Sequence, residues 1–524
     1  MAWTLGEDET ELDPDDPRLT GKIRKSMQLK REAQYTHRRS SCTTTITANT
    51  AHVMHRQKFI LKLAKALMLF GAPSHRIESQ LNATANVLEV DAQFIHFPGL
   101  VIASFGDVDK HTSETHFVKS KSDLALGPLH DVHIVYRRVV HDEIGVEEGT
   151  EELNRLLRAE ACWSEWSRIG FAAIRCWLMA PMSFGGSFID AFVAAAFGAM
   201  LTFLQLRVTR KNAMYSNVFE ISTAIMISFV ARGLSTTGLF CYQSIASSGL
   251  ILVLPGYIIL CGSLELASKN MIAGSVRMVY AIIYSLFLGF GIAIGSDVWF
   301  LLDPASRQSM YVPLESSTKV DGSFILANQT LPLWTGSFTF TNGTSNALNA
   351  GTINCERLPE WPWYRQPVSP WFNFLFVPTF SLLSCFNLLQ PMRSWDLPVM
   401  VFIACAGWTA NMAANHFVFN RSDVVSAIGS FVIGILGNVY SRVFRGTAFT
   451  ATAVAVLFLV PSGMAMAGGL AMTYKGSDGD LYSNGLSFAL RMVQVAIGIT
   501  VGLFMSALVV YSVGRKKGGA LFAF

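Results

Sequence analysis

From residue 168 onward the chain is written almost entirely in apolar segments of membrane-crossing length, and no other feature narrows its fold so far. Ten segments stand out: 169–183, 189–206, 217–234, 245–268 and 276–302, then 371–389, 397–417, 423–443, 448–473 and 488–511. A helix needs about 20 residues to cross roughly 30 Å of hydrocarbon. Backbone groups in lipid must bond internally, so helices are the default for such segments. Composition agrees. The chain is 51% hydrophobic and 15% charged, where soluble domains carry about 25% charge. Mean hydropathy is +0.37. The net charge of +4 is small and says little by itself; no nucleic-acid partner is expected. The expected class is an all-α polytopic membrane protein with a lipid bilayer as its solvent, preceded by a small α+β domain.

The N-terminus reads differently. Residues 1–50 run acidic (Glu7 to Asp16), then basic (Lys22 to Arg39), then Ser/Thr-rich, as a disordered cytosolic tail with sites for phosphorylation would. No early apolar run marks a signal peptide. Residues 51–165 read as a soluble α+β unit. Phe59, Ile60, Leu63, Leu67 and Phe70 recur at helical spacing, and Gly71 stops the run as a C-cap would. A second helix is predicted after Pro73, with Ile77, Leu81 and Val87 inward. Strands follow near 94–97, 101–105 and 115–118, then amphipathic helices near 131–141 and 145–157. The remaining divisions are 166–302 and 371–514 as two five-helix units, 303–370 as an extracytosolic loop, and 515–524 as a cytosolic tail.

Orientation follows from basic residues in the short loops. With the N-terminal unit in the cytosol, that side holds Arg207, Arg210, Lys211, Lys269, Arg277, Arg393, Arg442, Arg445, Arg515, Lys516 and Lys517; the other holds Arg421 and Lys475. Both termini are then cytosolic. The 303–370 loop faces outward, in keeping with its glycosylation sequons at Asn328 and Asn342.

The two sets of five resemble each other. Leu254-Pro255-Gly256, with Gly262 and Leu264, recurs 206 residues on as Val460-Pro461-Ser462, with Gly468 and Leu470. The same offset carries Asp190 to Asp396, Val218 to Val424 and Ile227 to Ile433; after an insertion, Arg277-Met278-Val279 meets Arg491-Met492-Val493. Five helices is an odd number, so the second unit enters from the opposite side. Inverted repeats of this kind mark transporters, whose halves rock about a midplane site.

Proline removes a helix hydrogen bond, and a mid-membrane break bares carbonyls and half-helix ends for a polar substrate or ion. Pro255 with Gly256, and Pro461 with Ser462 and Gly463, are therefore candidate binding positions. Glu220, Arg232 and Arg175 are charges inside apolar segments and call for a partner or a wet cavity. A carboxylate there can carry a proton, and an arginine can hold a substrate carboxylate. Asn411 and Asn415 offer uncharged ligands or interhelical bonds. Asp190 and Asp396 open related helices as caps or gates. Glu265, Arg277 and Arg491 read as anchors at helix ends. Eight cysteines form no CxxC pair, and Cys241, Cys261, Cys385 and Cys405 sit in apolar runs as small core residues. His111, Ser113, His116, His130 and His133 have no triad or ligand spacing. No metal or cofactor is called for, and no catalysis.

The run Leu69-Phe70-Gly71-Ala72-Pro73-Ser74-His75-Arg76-Ile77-Glu78 resembles the opening signature of the threonine/serine exporter family. So does Phe184-Gly185-Gly186-Ser187 to Asp190, together with the Pro-Gly of the fourth helix. The resemblance covers roughly 55–511 and is to the fungal branch, the pheromone-regulated membrane proteins. It implies a soluble N-terminal domain, ten spans, and proton-driven export of threonine and serine. Related split bacterial systems imply dicarboxylate export instead. The long sequon-bearing loop departs from the bacterial pattern and bears on substrate. The expected activity is secondary transport of a small amino acid or carboxylate with a proton, by a monomer or homo-oligomer. The competing reading is a membrane-anchored signalling protein in mating or cell fusion; a scaffold, however, needs no pseudo-symmetry. A membrane-tethered hydrolase would have to rest on the histidines alone.

Overall fold

A computed structural model describes residues 42–107, 112–120, 123–209, 211, 213–306, 318–324, 334–340, 361–418, 422–444, 446–466 and 480–512. The sequons Asn328 and Asn342 lie outside them.

The N-terminal domain begins with α1 (Cys42–Leu69), which buries Phe59, Ile60, Leu63 and Leu67. Gly71 ends it at φ +80°, a conformation glycine adopts at no steric cost. The amides of Gly71 and Ala72 close back on the Met68 and Leu67 carbonyls. Pro73 then fixes the entry to α2 (Ser74–Val87). Ile77 and Leu81 face inward, but Val87, predicted inward, is 49% exposed. It is the last residue of α2, where the apolar stripe has already rotated off the core.

Strands β1 (Ala92–Phe97), β2 (Leu100–Asp107) and β3 (Thr112–Lys119) form an antiparallel meander with Ile95 opposite Ile102. Helix α3 (Leu126–Val140) starts five residues earlier than its polar pattern predicts, because its first turn is docked. The Leu126 amide donates to the Leu388 carbonyl of the membrane region at 2.9 Å. Helix α4 (Val146–Arg158) closes the domain.

The remaining helices are α5 (Glu165–Phe184), α6 (Phe188–Phe203, with a π-helical continuation to Val208), α7 (Ala213–Ser235), α8 (Tyr242–Gly249), α9 (Gly256–Ala267) and α10 (Met271–Leu302). A small hairpin, β4 (Thr318–Phe324) with β5 (Trp334–Phe340), follows. Then come α11 (Asn373–Asn387), α12 (Asp396–Phe417), α13 (Ser422–Phe444), α14 (Ala448–Met466) and α15 (Asp480–Ser512).

Helices thus occupy all ten apolar segments, but by length and composition six of the described helices are able to cross a membrane, or seven if the bent pair α8–α9 is one span. Helix α5 carries Glu165, Arg168 and Arg175, and α11 has 15 residues. Large apolar side chains such as Phe192, Ile283, Phe402 and Ile497 point outward from these helices, a surface suited to lipid.

Glycines decide how the helices meet. Helix α10 packs on α7, and α15 on α13. Their contact stretches read Gly291-Ile292-Ala293-Ile294-Gly295 and Gly498-Ile499-Thr500-Val501-Gly502. Gly291 and Gly295 lie against the Ile221 and Ile225 carbonyls, and Gly498 and Gly502 against those of Asp423 and Ala427. In membranes, small residues let helix backbones approach this closely. Across the halves, α5 packs on α11 and α10 on α15.

Candidate functional site

The chain breaks between α8 and α9. Ile251–Val253 form a single 3-10 turn, Leu254 is extended at ψ 133°, and Pro255 opens α9. A residue before proline is driven out of the helical region, and Pro255 has no N–H to give. The two helix pieces meet at a bend of 55°. The break leaves polar groups in an apolar layer. The Tyr284 phenol of α10 donates to the Val253 carbonyl at 3.0 Å. Ser244, Ser247 and Ser248 of α8 are fully buried.

Glu220 of α7 is half-buried and interacts electrostatically with both Tyr280 and Tyr284. The second predicted break is not observed. Pro461, Ser462 and Gly463 lie within α14, which continues as helix to Met466. An interior proline forfeits one hydrogen bond and need only kink its helix, whereas at Pro255 the three preceding residues have already left the α-helical pattern.

Arg232 sits twelve residues from Glu220 along α7, about 18 Å at the helical rise. Its Nε donates to Ser296 Oγ at 2.8 Å, and its guanidinium stacks 3.5 Å from the Tyr242 ring centroid. It ties α7 to α10 and to the start of α8 rather than reaching the break. Arg175 of α5 lies 5.3 Å over the Phe380 ring of α11, with its buried Nε lacking a hydrogen-bond partner among the described residues. It stands where the two halves meet. Asn411 is buried against Gly429 of α13 and Asn415 is half-buried, both on α12.

Asp190 forms a capping box with Ser187 at the start of α6, accepting from the Ser187 amide and hydroxyl at 2.9 Å. Its other oxygen accepts from the Cys241 amide at 3.0 Å, binding the starts of α6 and α8 together. Asp396 instead faces the N-terminal domain. Its Oδ2 lies 3.2 Å from His130 Nδ1 of α3, and the Tyr440 phenol donates to Oδ1. Cys241 is not an ordinary core thiol: it is disulfide-bonded. A cysteine's neighbours in sequence do not reveal a partner brought in by the fold.

The site that sequence reading missed lies along α9. Glu265, read from the sequence as an anchor at a helix end, is fully buried. Its Oε1 accepts from the Ser74 amide at 2.9 Å and the Ser74 hydroxyl at 2.6 Å, and lies 3.4 Å from Arg277 Nη1 of α10. Its Oε2 is buried with no hydrogen-bond partner among the described residues. Around it, the Tyr257 phenol donates to the Gly71 carbonyl, and Asn270 Nδ2 donates to Glu78 at 3.1 Å. Gly71 to Glu78 therefore runs beside α9 from its first turn to just past its end.

In the N-terminal domain, burial, helped by Arg76 and Arg277, pushes His75 down to about 4. Burial and Arg277 lower His96 to about 4, and burial with Arg76 lowers His133 to about 3. Burial also raises Glu78 above the usual carboxylate range. The legible signal for this site was an acid and a base, Glu265 and Arg277, on either side of a three-residue turn between apolar helices. Among the described residues, no group of three His, Cys, Asp or Glu is placed to hold a metal.

Residues 58–299 match a family model described as a threonine/serine exporter, and residues 372–509 match a second with the same description. An uncharacterised protein of Schizosaccharomyces pombe is 39% identical over 497 residues, 91% of this chain and 58% of that protein. Pheromone-regulated membrane protein 10 of Candida glabrata is 38% identical over 489 residues, 90% of this chain and 55% of its own length. The Kluyveromyces lactis protein of the same name is 38% identical over 489 residues, 90% of this chain and 46% of its own. The chain thus spans about half the length of these curated relatives. No solved structure matches it.

Proposed function

Because this chain belongs to the threonine/serine exporter family, we propose that it is a ten-span secondary transporter of two inverted five-helix repeats, exporting a small amino acid such as threonine or serine with a proton. The observation that carries this reading is the α8–α9 break: a 55° bend at Pro255 with a buried serine cluster on one side. Broken helices of this kind hold polar substrates in transporters. Pro255, Gly256 and the Val253 carbonyl line the substrate position, Tyr284 closes on that carbonyl, and Glu220 supplies the proton-carrying carboxylate. Arg175 offers a cationic partner for a substrate carboxylate, and Arg232 holds the frame.

The repeat is supported by the matching Gly-x3-Gly contacts on α7 and α13, and by the pairing of α5 with α11 and α10 with α15. The self-matched pairs are those a pseudo-two-fold axis brings together. Both termini are assigned to the cytosol. Helix α5 carries the chain from Trp163, which donates to Gln390 on the domain side, to Ser187 at the far side. The disulfide at Cys241 belongs to that far side, as expected where the environment is oxidising. In reconstituted vesicles, threonine or serine movement should be accompanied by proton movement, and Glu220→Gln should abolish the proton component. Normal coupled transport by both Glu220→Gln and Arg175→Ala would remove these residues from the site. Absence of any flux in the wild type, with the other small amino acids and dicarboxylates also silent, would overturn the reading.

A further inference from the structure

We propose that Glu265 is a proton-binding latch that holds the N-terminal domain against the broken helix, and that protonation at its free oxygen releases that domain. The proposal deepens the proton-coupled reading above and rests on it for its role in transport. Its physical content is separate.

The two carboxylate oxygens of Glu265 are used unequally. Oε1 takes both Ser74 bonds and the Arg277 contact, while Oε2 is buried and unpartnered among the described residues. A proton can therefore settle on Oε2 without displacing any existing bond. The carboxylate becomes a carboxylic acid, and the proton comes from solvent. The bonds at Oε1 then persist only as neutral ones. A hydrogen bond to a charged group is about twice as strong as its neutral counterpart, and Arg277 loses its counter-charge.

What is loosened matters because of where it lies. Ser74 is the first residue of α2. Three residues earlier, Gly71 accepts from Tyr257, the second residue of α9 after the break. A Cβ at Gly71 would also crowd the Tyr257 hydroxyl at 3.3 Å, so the loop is in close contact with the helix. Releasing Ser74 frees the segment that covers the first turn of α9. The same domain is attached to the second half through Asp396–His130 and Leu126–Leu388. It bridges both halves, and the halves cannot rock apart while both attachments hold.

Arg277 faces Glu265 from α10, Glu78 from α2, and Tyr257 and Cys261 from its own helix. Helix α15 also packs on α9, but Arg491, its one basic residue with a described side chain, makes no bond to Glu265. The described part of α14 carries no charge.

The test uses the full chain in lipid nanodiscs and amide hydrogen exchange of the 71–78 segment, corrected for intrinsic rates, from about pH 7 to about pH 3, across the carboxylate range. Protection at Ser74 should fall about tenfold as pH drops, in line with the loss of charge assistance. In Glu265→Gln the amide oxygen still accepts from Ser74, so protection should start low and keep only the pH dependence of the buried histidines, without the step assigned to Glu265. In Ser74→Ala the charged form loses one bond, so release should move to higher pH. Flat protection in the wild type, wild-type pH dependence in Glu265→Gln, or an unmoved midpoint in Ser74→Ala would each overturn the latch. If Glu265→Gln does not fold, Ser74→Ala decides. Threonine and serine flux in vesicles is read separately. A pH-responsive latch in a chain without flux refutes the transport reading and leaves the latch standing.

Discussion

Alanine at Gly295 or at Gly502 should destabilise the membrane region by a similar amount, and the size follows from the geometry. A Cβ at Gly295 would sit 2.9 Å from Ser228 Cβ and 3.0 Å from the Phe229 nitrogen, with the Ile225 carbonyl closer still. At Gly502 it would sit 2.9 Å from the Phe431 nitrogen, with Ser430 Oγ and the Ala427 carbonyl closer. Non-bonded carbons rest at about 3.5–4.0 Å, so each helix pair must part by roughly 1 Å along a tightly packed seam. Overpacking of this kind costs about 1–3 kcal/mol. Replacing glycine within a helix returns about 1 kcal/mol, leaving a net loss of up to roughly 2 kcal/mol at each site.

Gly170 of α5 is the control, because nothing lies within 4 Å of its added Cβ. There alanine should stabilise by up to about 1 kcal/mol. Equilibrium unfolding in mixed micelles, followed by helical circular dichroism, measures all three. If Gly295→Ala and Gly502→Ala behave like Gly170→Ala, the close approach of these helices is not real. A large effect at one and none at the other would sink the equivalence of the two halves.

Three further outcomes are expected. Arg277→Ala should cost about 3–5 kcal/mol by stranding the buried Glu265 charge, and adding Glu265→Gln should recover much of it; strictly additive losses in the same unfolding assay would refute the ion pair. Ser187→Ala removes the cap on α6 and should cost about 1 kcal/mol, read as a lower unfolding midpoint. The pH dependence of the N-terminal domain follows from His75, His96 and His133, held neutral in the fold down to about 4, 4 and 3 against 6.5 when unfolded. Below about 6.5 the unfolded chain takes up protons that the folded one refuses, so stability is full above that value and falls toward pH 4. The slope approaches about 1.4 kcal/mol per pH unit for each histidine. A pH-independent melting curve for the N-terminal domain between 6.5 and 4 would contradict their burial.

Much of this molecule could be read from its residues in order. The apolar segments, the stop at Gly71, the strands of the small sheet and the interruption at Pro255 are all consequences of a short stretch of chain. The transfer of a segment into hydrocarbon sums over its own residues, and the missing amide of a proline acts within one turn. The same locality explains where the reading went astray. Val87 obeyed the helical period but sat past the core's edge. Pro461 carried the same chemistry as Pro255, yet the helix around it does not break there. Asp396 was aligned with Asp190 as a cap, and the fold gave it a histidine from another domain.

By itself, then, the sequence determined that this is a membrane protein with a breakable fourth helix, because hydrophobicity and proline stiffness are properties of consecutive residues. Only the tertiary structure decided that Glu265 belongs with Ser74, 191 residues away, and with Arg277. It alone set glycines of α10 and α15 against the backbones of α7 and α13 and put a disulfide at Cys241. A buried carboxylate must find donors and a counter-charge wherever the fold brings them, and nothing in the residues flanking it names those partners in advance.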